Sequence, residues 1–231
     1  MTGLELVLAL VVLLTGGAAP IWLVLTTTGI IMLRKPPGML EMMGSLHQVA
    51  RTYLRVILVP ALVILVAAVV WAAVAYPRLA NLILAGAVAG LLSSLALDVV
   101  RLTGYAMGWM PSNMPHTFGR MILGPTAMAG QVKTVGFLYH LLNGIGFGLI
   151  YALLFGNAAW WWGIVFAMLI AVLMGISPPV LMSGSGVMML RKGMGPMAVM
   201  LLAHLAMGVV LGLVTVWIAQ GMGLLGLLFG L

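Results

Sequence analysis

The chain has no cysteine and only three acidic residues among its 231 positions. Without thiols it forms neither disulfides nor thiolate-held iron–sulfur clusters. The carboxylates of Glu5, Glu41 and Asp98 are widely separated in sequence, so no pair is available for acid–base chemistry, and no Ser–His–Asp spacing stands out. We therefore expect no catalysis by this chain alone, and the sequence predicts neither a catalytic residue nor a dedicated metal site.

Charge of either sign is also scarce. Charged residues make up 6% of the chain and hydrophobic residues 64%, too little polarity to solvate a water-soluble globule. Apolar runs longer than the roughly 18 residues that cross a bilayer recur without strand-like alternation, so the backbone is expected to be helical. The sequence thus predicts an all-α polytopic transmembrane bundle. The six predicted spans are residues 4–33, 54–75, 80–100, 134–155, 159–182 and 196–219.

The basic residues are distributed unevenly about these spans. Arg78 falls on one side of the membrane. The opposite side holds Arg34, Lys35, Arg51, Arg55, Arg101, Arg120, Lys133, Arg191 and Lys192. By the positive-inside rule this basic side is cytoplasmic, so we expect both termini outside and a multi-pass protein of the inner (cytoplasmic) membrane. The net charge of +7 then has anionic lipid head groups as its partner, and not nucleic acid.

Three cytoplasmic segments connect the predicted spans, and the third, residues 183–195, is expected to be flexible from its composition. Residues 34–55 break at a Pro-Pro pair and then resemble a short amphipathic surface helix. Residues 101–133 are too polar to span and too apolar for a free loop, so we expect them in the interface or re-entering the bundle. We divide the chain into residues 1–79, with two transmembrane helices and the amphipathic segment, and a four-helix membrane unit, residues 80–231.

One motif occurs twice, in the predicted fourth and sixth spans. Residues 140–150 read HLLNGIGFGLI and residues 204–214 read HLAMGVVLGLV. Steps of four place each histidine and its two glycines on one helical stripe, and such small-residue stripes let helices pack closely in lipid. The two spans run in the same direction, which gives a weak parallel repeat. The predicted third span has a similar stripe of Gly86, Gly90 and Ser94, which Asp98 extends.

Polar side chains gather toward the cytoplasmic ends of these helices. His140 and His204 lie at matching depths, and Asp98 and Arg101 are one helical turn apart and can pair. Ionisable groups inside a membrane are costly, so a shared pocket is the default functional hypothesis. The predicted pocket residues are Asp98, Arg101, His116, Arg120, His140, Asn143 and His204.

The region from residue 80 to residue 220 resembles a group of small uncharacterised multi-pass bacterial membrane proteins. It contains LDVVRLTGYAMGWMPSNMPHTFGRMILG, FLYHLLNGIGFGLIYALLFG and AHLAMGVVLGLVTVWI. In that group, Met/Pro-rich cytoplasmic segments alternate with His-x-x-x-Gly-x-x-x-Gly helices. The resemblance implies a four-helix membrane unit and no activity.

The two motif histidines allow a chemical and a structural interpretation. Neutral imidazoles on parallel helices would supply both axial ligands of haem b, or hold a quinone, with Asp98 and Arg101 close by. His116 and Arg120 belong to the same candidate cofactor site. In the structural interpretation the imidazoles only form interhelical hydrogen bonds, worth on the order of 0.6 to 2 kcal/mol each.

Copper is a further alternative, from another set of residues. Met107, Met110, Met114 and Met121 offer thioethers near His116, and such soft ligands suit Cu(I). The chain has 20 methionines throughout, however, so a methionine near a histidine is expected by chance, and adaptable packing explains most of them. We therefore rank copper below haem b.

Three function classes remain open at this point. The first is an accessory or anchoring subunit of a larger membrane assembly, such as a respiratory or redox complex, with partner membrane or peripheral subunits. The second is an electron-transfer subunit that binds haem b or quinone through His140 and His204. The third is a transporter of a small solute or ion. We favour the accessory subunit because the sequence has no soluble domain, no acid-lined path across the membrane and no complete chemical motif.

Overall fold

The computed structural model describes residues 2–21, 47–110, 113–176 and 186–230. Within these ranges the chain is helical, and its one β-type pairing is an isolated antiparallel bridge between Gly156 and Met222. The helices are α1 (Gly3–Gly16), α2 (His47–Ala75), α3 (Pro77–Ala106), α4 (Met114–Leu123), α5 (Ala129–Phe155), α6 (Trp162–Gly175), α7 (Met194–Ile218) and α8 (Leu224–Phe229). A short 3-10 helix, Val187–Lys192, precedes α7.

Four of these helices, α2, α3, α5 and α7, are long and apolar enough to cross a membrane. They correspond to the second, third, fourth and sixth predicted spans, and they indicate an all-helical membrane protein. Helices α1 and α6 are apolar but have only 14 residues each. Parts of the first and fifth predicted spans, residues 22–33 and 177–182, lie outside the described residues. The six-span count and the orientation therefore stay predictions.

Helix α2 begins earlier than the predicted second span. It starts at His47 and not near residue 54, so the basic side chains of Arg51 and Arg55 belong to the helix. The turn Leu54–Leu58 is π-helical. Pro60 follows it and has no N–H to donate, and the wider turn accommodates the missing hydrogen bond. Most of the predicted amphipathic surface helix lies outside the described residues.

One of the three acidic residues, Glu5, has a structural role at the start of helix α1. The Thr2 hydroxyl accepts a hydrogen bond from the Glu5 backbone N–H at 3.2 Å, and the Glu5 carboxylate accepts one from the Thr2 N–H at 3.2 Å. This capping box satisfies two backbone donors at the start of the helix. Glu5 is thus occupied in starting α1.

Helix α3 is the centre of the bundle. It packs most extensively against α7 and α5, and more lightly against α2. Helix α4 packs on α5, and α6 packs on α7. Helix α1 packs on both α2 and α5. The two motif helices, α5 and α7, therefore meet through α3 and hardly touch each other.

The bundle buries small residues and exposes large apolar ones. Ala72, Ala85 and Ala89 are completely buried, whereas Val74 and Trp217 are 83% and 85% exposed. Large apolar side chains on the outside suit a lipid solvent, in which helices associate by close packing and not by the hydrophobic effect.

Candidate functional site

The glycine stripe of α5 packs directly against that of α3. A methyl group on Gly86 would lie 2.7 Å from the carbonyl oxygen of Gly148, and one on Gly90 would lie 3.0 Å from the Cα of Gly148. A methyl group on Gly144 would collide with the Ser94 hydroxyl. Because no side chain fits between the two backbones, the predicted small-residue interface is confirmed for this helix pair.

The second copy of the motif packs against a different helix. A methyl group on Gly208 would lie 2.7 Å from the carbonyl oxygen of Gly163, and one on Gly212 would collide with the backbone of Trp160. Helix α7 therefore packs its stripe against the beginning of α6. The two copies share a packing role but have different partners.

A buried ion pair lies where the α3 stripe ends. The Arg101 Nη2 and Nε atoms donate to the same Asp98 oxygen, Oδ1, at 2.7 and 3.0 Å. Arg101 Nη1 also donates to the side-chain oxygen of Asn113. Asp98 is 5% exposed and Arg101 7%, so the pair predicted from their spacing is confirmed, and it is shielded from solvent. Asp98 Oδ2 accepts no hydrogen bond from the described part of the chain.

His140 brings α5 to this ion pair. Its Nε2 lies 3.1 Å from Asp98 Oδ1, which is within ion-pair distance, although the ring is not aligned for a hydrogen bond. A carboxylate oxygen favours a protonated nitrogen beside it, so in the neutral ring the lone pair belongs to Nδ1. The contact links α5 to α3 and orients the imidazole.

His204 is held by its own helix. Its Nδ1 lies 2.8 Å from the carbonyl oxygen of Met200, one turn earlier on α7. A carbonyl only accepts, so Nδ1 carries the proton and Nε2 keeps the lone pair of the neutral ring. This hydrogen bond lies within α7. The structural alternative drawn from the sequence is a hydrogen bond from the imidazole to a neighbouring helix.

Both histidines line a cavity of about 80 Å³ between the helices. Arg101 and Asn143 also line it. Asn143 is 4% exposed, and its side-chain oxygen accepts no hydrogen bond from the described residues. A buried acceptor without a donor is costly, so the cavity wall favours an occupant that supplies a proton or a positive charge.

Methionines make up much of the remaining wall. The six that line the cavity are Met110, Met114, Met174, Met189, Met200 and Met207. They come from the residues after α3, from α4, α6 and α7, and from the 3-10 helix. Four of them, Met110, Met114, Met189 and Met200, pack together in one buried cluster. The wall is therefore rich in thioether sulfur, whose lone pairs are weak acceptors.

The backbone that carries one of these methionines is strained. Met188 and Met189 have φ angles of 53° and 61°, a left-handed conformation that costs a non-glycine residue on the order of 1 to 3 kcal/mol. Met189 is nevertheless 2% exposed and lines the cavity. The strained backbone thus lies where the Met189 side chain forms part of the cavity wall.

Three of the predicted pocket residues, Asp98, His116 and Arg120, do not line the cavity. Arg120 is exposed, and its Nη1 donates to the Pro125 carbonyl at 2.9 Å. Partial burial of His116, together with the positive charges of Lys133, Arg101 and Arg120, lowers its pKa from the usual 6.5. Helix α4 turns Met114, Pro115 and Phe118 to the cavity, and a binding role for His116 and Arg120 stays a prediction.

The copper set drawn from sequence is not brought together either. Met107 is 57% exposed, and Met121 is buried in a different cluster. Met110 and Met114 do line the cavity, but with His140 and His204 and not with His116. In the described ranges no group of three or more His, Cys, Asp or Glu side chains is placed to hold a metal ion.

The cavity is small for the organic cofactors that the histidines suggest. Sites for drug-sized ligands have volumes of roughly 300 to 1,000 Å³, several times the 80 Å³ found here. A porphyrin or a quinone ring would require the helices to move apart, which the glycine contacts of α3 and α5 oppose. The cavity in this structure is therefore smaller than a porphyrin or a quinone ring requires, and binding of either through His140 and His204 stays a prediction.

Sequence reasoning missed Met174, Met189, Met200 and Met207. One signal was present, because Met200 and Met207 lie one turn before and one turn after His204 on the same helical face. The other two reach the cavity only through the folding of distant segments. No protein-family model, curated protein or solved structure matches this chain.

Proposed function

We propose that this chain is an integral membrane accessory subunit that holds a small polar or ionic occupant inside its helical bundle. The observation that carries the proposal is the cavity lined by both motif histidines beside the buried Asp98–Arg101 pair. Ionisable groups buried in a membrane protein usually serve a function because their desolvation is costly. A bare anchor would have no need of them.

The volume of the cavity supports a small occupant. About 80 Å³ is well below the roughly 300 to 1,000 Å³ of sites for drug-sized ligands. An ion with or without a water molecule fits this space. The proposal assigns no catalysis to the chain.

We further propose six spans with both termini outside, in the inner (cytoplasmic) membrane. Arg101 and Lys133 lie at the same end of the bundle as the cavity, so the positive-inside rule supports a cavity near the cytoplasmic face. Partner subunits would then contact the outer helix faces or the cytoplasmic segments. We also propose that the larger assembly is a respiratory or redox complex.

The proposal is tested by filling the cavity. Ala203 lines it and is 2% exposed, so Ala203→Leu adds side-chain volume where the occupant would lie. Ala206, half-buried on the same helix, provides the matched control Ala206→Leu. Native mass spectrometry of the protein released from detergent micelles compares the mass that each purified form carries beyond the chain and lipid.

We expect wild type and Ala206→Leu to carry the occupant and Ala203→Leu to lack it. A thermal unfolding midpoint equal to that of wild type shows that Ala203→Leu is folded, and Ala203→Val is the smaller substitute if it is not. A wild-type protein with no additional mass, or an occupant that persists in the folded Ala203→Leu form, contradicts the proposal.

A further inference from the structure

We propose that the cavity binds one soft monovalent metal ion, Cu(I), through methionine sulfur and histidine nitrogen. The inference rests on the proposed function and names its occupant. It differs from the copper set suggested by sequence, since it uses the residues that the fold brings together. Its first ligands are His204, Met200 and Met207 of α7, with His140 and the neighbouring methionines completing the site.

His204 makes the second hydrogen bond that metal-binding histidines need, and His140 lies beside a carboxylate. Such a histidine generally donates its other ring N–H to a carboxylate or a backbone carbonyl, which fixes the tautomer. His204 does so to the Met200 carbonyl at 2.8 Å, and His140 places its Nε2 3.1 Å from an Asp98 oxygen. Each neutral ring therefore keeps one lone pair on the nitrogen that is not engaged.

The methionines supply the rest of a soft donor set. Met200 and Met207 lie four residues before and three residues after His204, so all three share one face of α7. The cluster of Met110, Met114, Met189 and Met200 meets this face. Thioether and imidazole ligands together select Cu(I) over hard cations, which prefer carboxylate and carbonyl oxygen.

The other features of the cavity agree with a single small cation. Arg101 is neutralised by Asp98, so the ion does not face an uncompensated positive charge. The Asn143 oxygen, which accepts no hydrogen bond from the described residues, is a further acceptor in the wall. Because the described residues build no group of three His, Cys, Asp or Glu ligands, zinc lacks its usual donors. The strained backbone at Met189 is consistent with a thioether that is held in place.

The experiment measures metal binding by the purified full-length chain in detergent. Cu(I) is added anaerobically in competition with a coloured Cu(I) chelator, and Ag(I), which is redox-inert, is titrated calorimetrically. The test variant Met200→Leu/Met207→Leu removes two sulfur atoms at nearly constant volume. Met121→Leu is the matched control, because Met121 is equally buried, at 1% exposed, but lies in a different cluster.

We expect the wild-type chain to bind one Cu(I). The dissociation constant should be at least about tenfold larger in the double variant and in His204→Gln than in wild type. Met121→Leu should bind as wild type does. Copper X-ray absorption should show both sulfur and nitrogen neighbours in wild type, with fewer sulfur neighbours in the double variant.

Absence of Cu(I) and Ag(I) binding, or equal affinity in wild type and the folded double variant, overturns the inference. The outcome of the cavity-filling experiment is independent of this one. If wild type carries another occupant that Ala203→Leu excludes, the proposed function stands and only copper fails. If no occupant is found and no metal binds, both fail.

Discussion

The buried pair of Asp98 and Arg101 allows a sharp test of the polar site. Replacing Asp98 with leucine leaves the Arg101 guanidinium, in a residue that is 7% exposed, with the Asn113 side chain as its one remaining side-chain partner among the described residues. An arginine cannot become neutral in a protein, so its charge stays buried. Replacing Arg101 with methionine leaves the Asp98 carboxylate with a polar neighbour, because His140 Nε2 lies 3.1 Å from its Oδ1. The two single substitutions should therefore differ in cost.

The magnitude follows from the geometry of the pair. Removing one partner of a buried ion pair costs about 3 to 5 kcal/mol, whereas replacing both with apolar residues is often neutral. The two hydrogen bonds of 2.7 and 3.0 Å to one oxygen favour the upper part of that range for Asp98→Leu. Arg101→Met should cost less, because His140 compensates in part. Asp98→Leu/Arg101→Met should lose at least about 2 kcal/mol less than the sum of the two single losses.

The free energy of unfolding can be measured by SDS titration in mixed micelles, followed by the fluorescence of the seven tryptophans. Lys133→Met, on an exposed residue of α5, is the control for loss of a positive charge and should change stability by no more than about 0.5 kcal/mol. Adding His140→Gln to Arg101→Met should remove the compensation and raise the cost. Additive single losses, or equal costs for the two single variants, would refute the reasoning.

Three further predictions concern packing, topology and protonation. Gly90→Leu should lower the SDS midpoint of unfolding much more than Leu95→Ala on the same helix, because Gly90 contacts the α5 backbone and Leu95 is 42% exposed; equal midpoints would remove the small-residue argument. A cysteine introduced at Ser112 should be inaccessible to a membrane-impermeant thiol reagent in intact cells and one at Asn157 accessible, and labelling of position 112 from outside would contradict the proposed orientation. NMR titration should give His116 a pKa below 6.5, so its protonation disfavours the folded state and stability falls as pH drops through and below 6.5; a midpoint at or above 6.5 would contradict this.

Much of the fold was predictable because its signals are local in sequence. Apolar length located the helices α2, α3, α5 and α7. The four-residue spacing of glycines identified the faces of α3 and α5 that touch. Spacing of one turn identified the Asp98–Arg101 pair. Each of these signals is read within one helix, and each needs no knowledge of how helices are arranged.

The wall of the cavity was not predictable in the same way. Met110 follows α3, Met189 belongs to the 3-10 helix and Met174 to α6, and nothing in their local sequences distinguishes them from the other methionines among the 20. His116 and Arg120 lie outside the cavity lining, since a spacing of one helical turn between two residues does not determine which face of α4 packs on the bundle. Distant segments meet only once the helices have packed, and that packing cannot be inferred from local sequence patterns.

The position of the cavity follows from the increase in side-chain size along one face of α3. Gly86 and Gly90 allow the backbone of α5 to make contact, whereas Ser94 and then Asp98 place progressively larger side chains toward it. On α5 the facing stripe runs in the opposite sense, from Gly148 to Gly144 and then to His140. The helices are thus held together at their glycine end, and the polar side chains fill the interface at the other end. The cavity lies at this polar end, where Arg101, His140 and Asn143 line it, so one sequence pattern provides both the close helix contact and the polar wall.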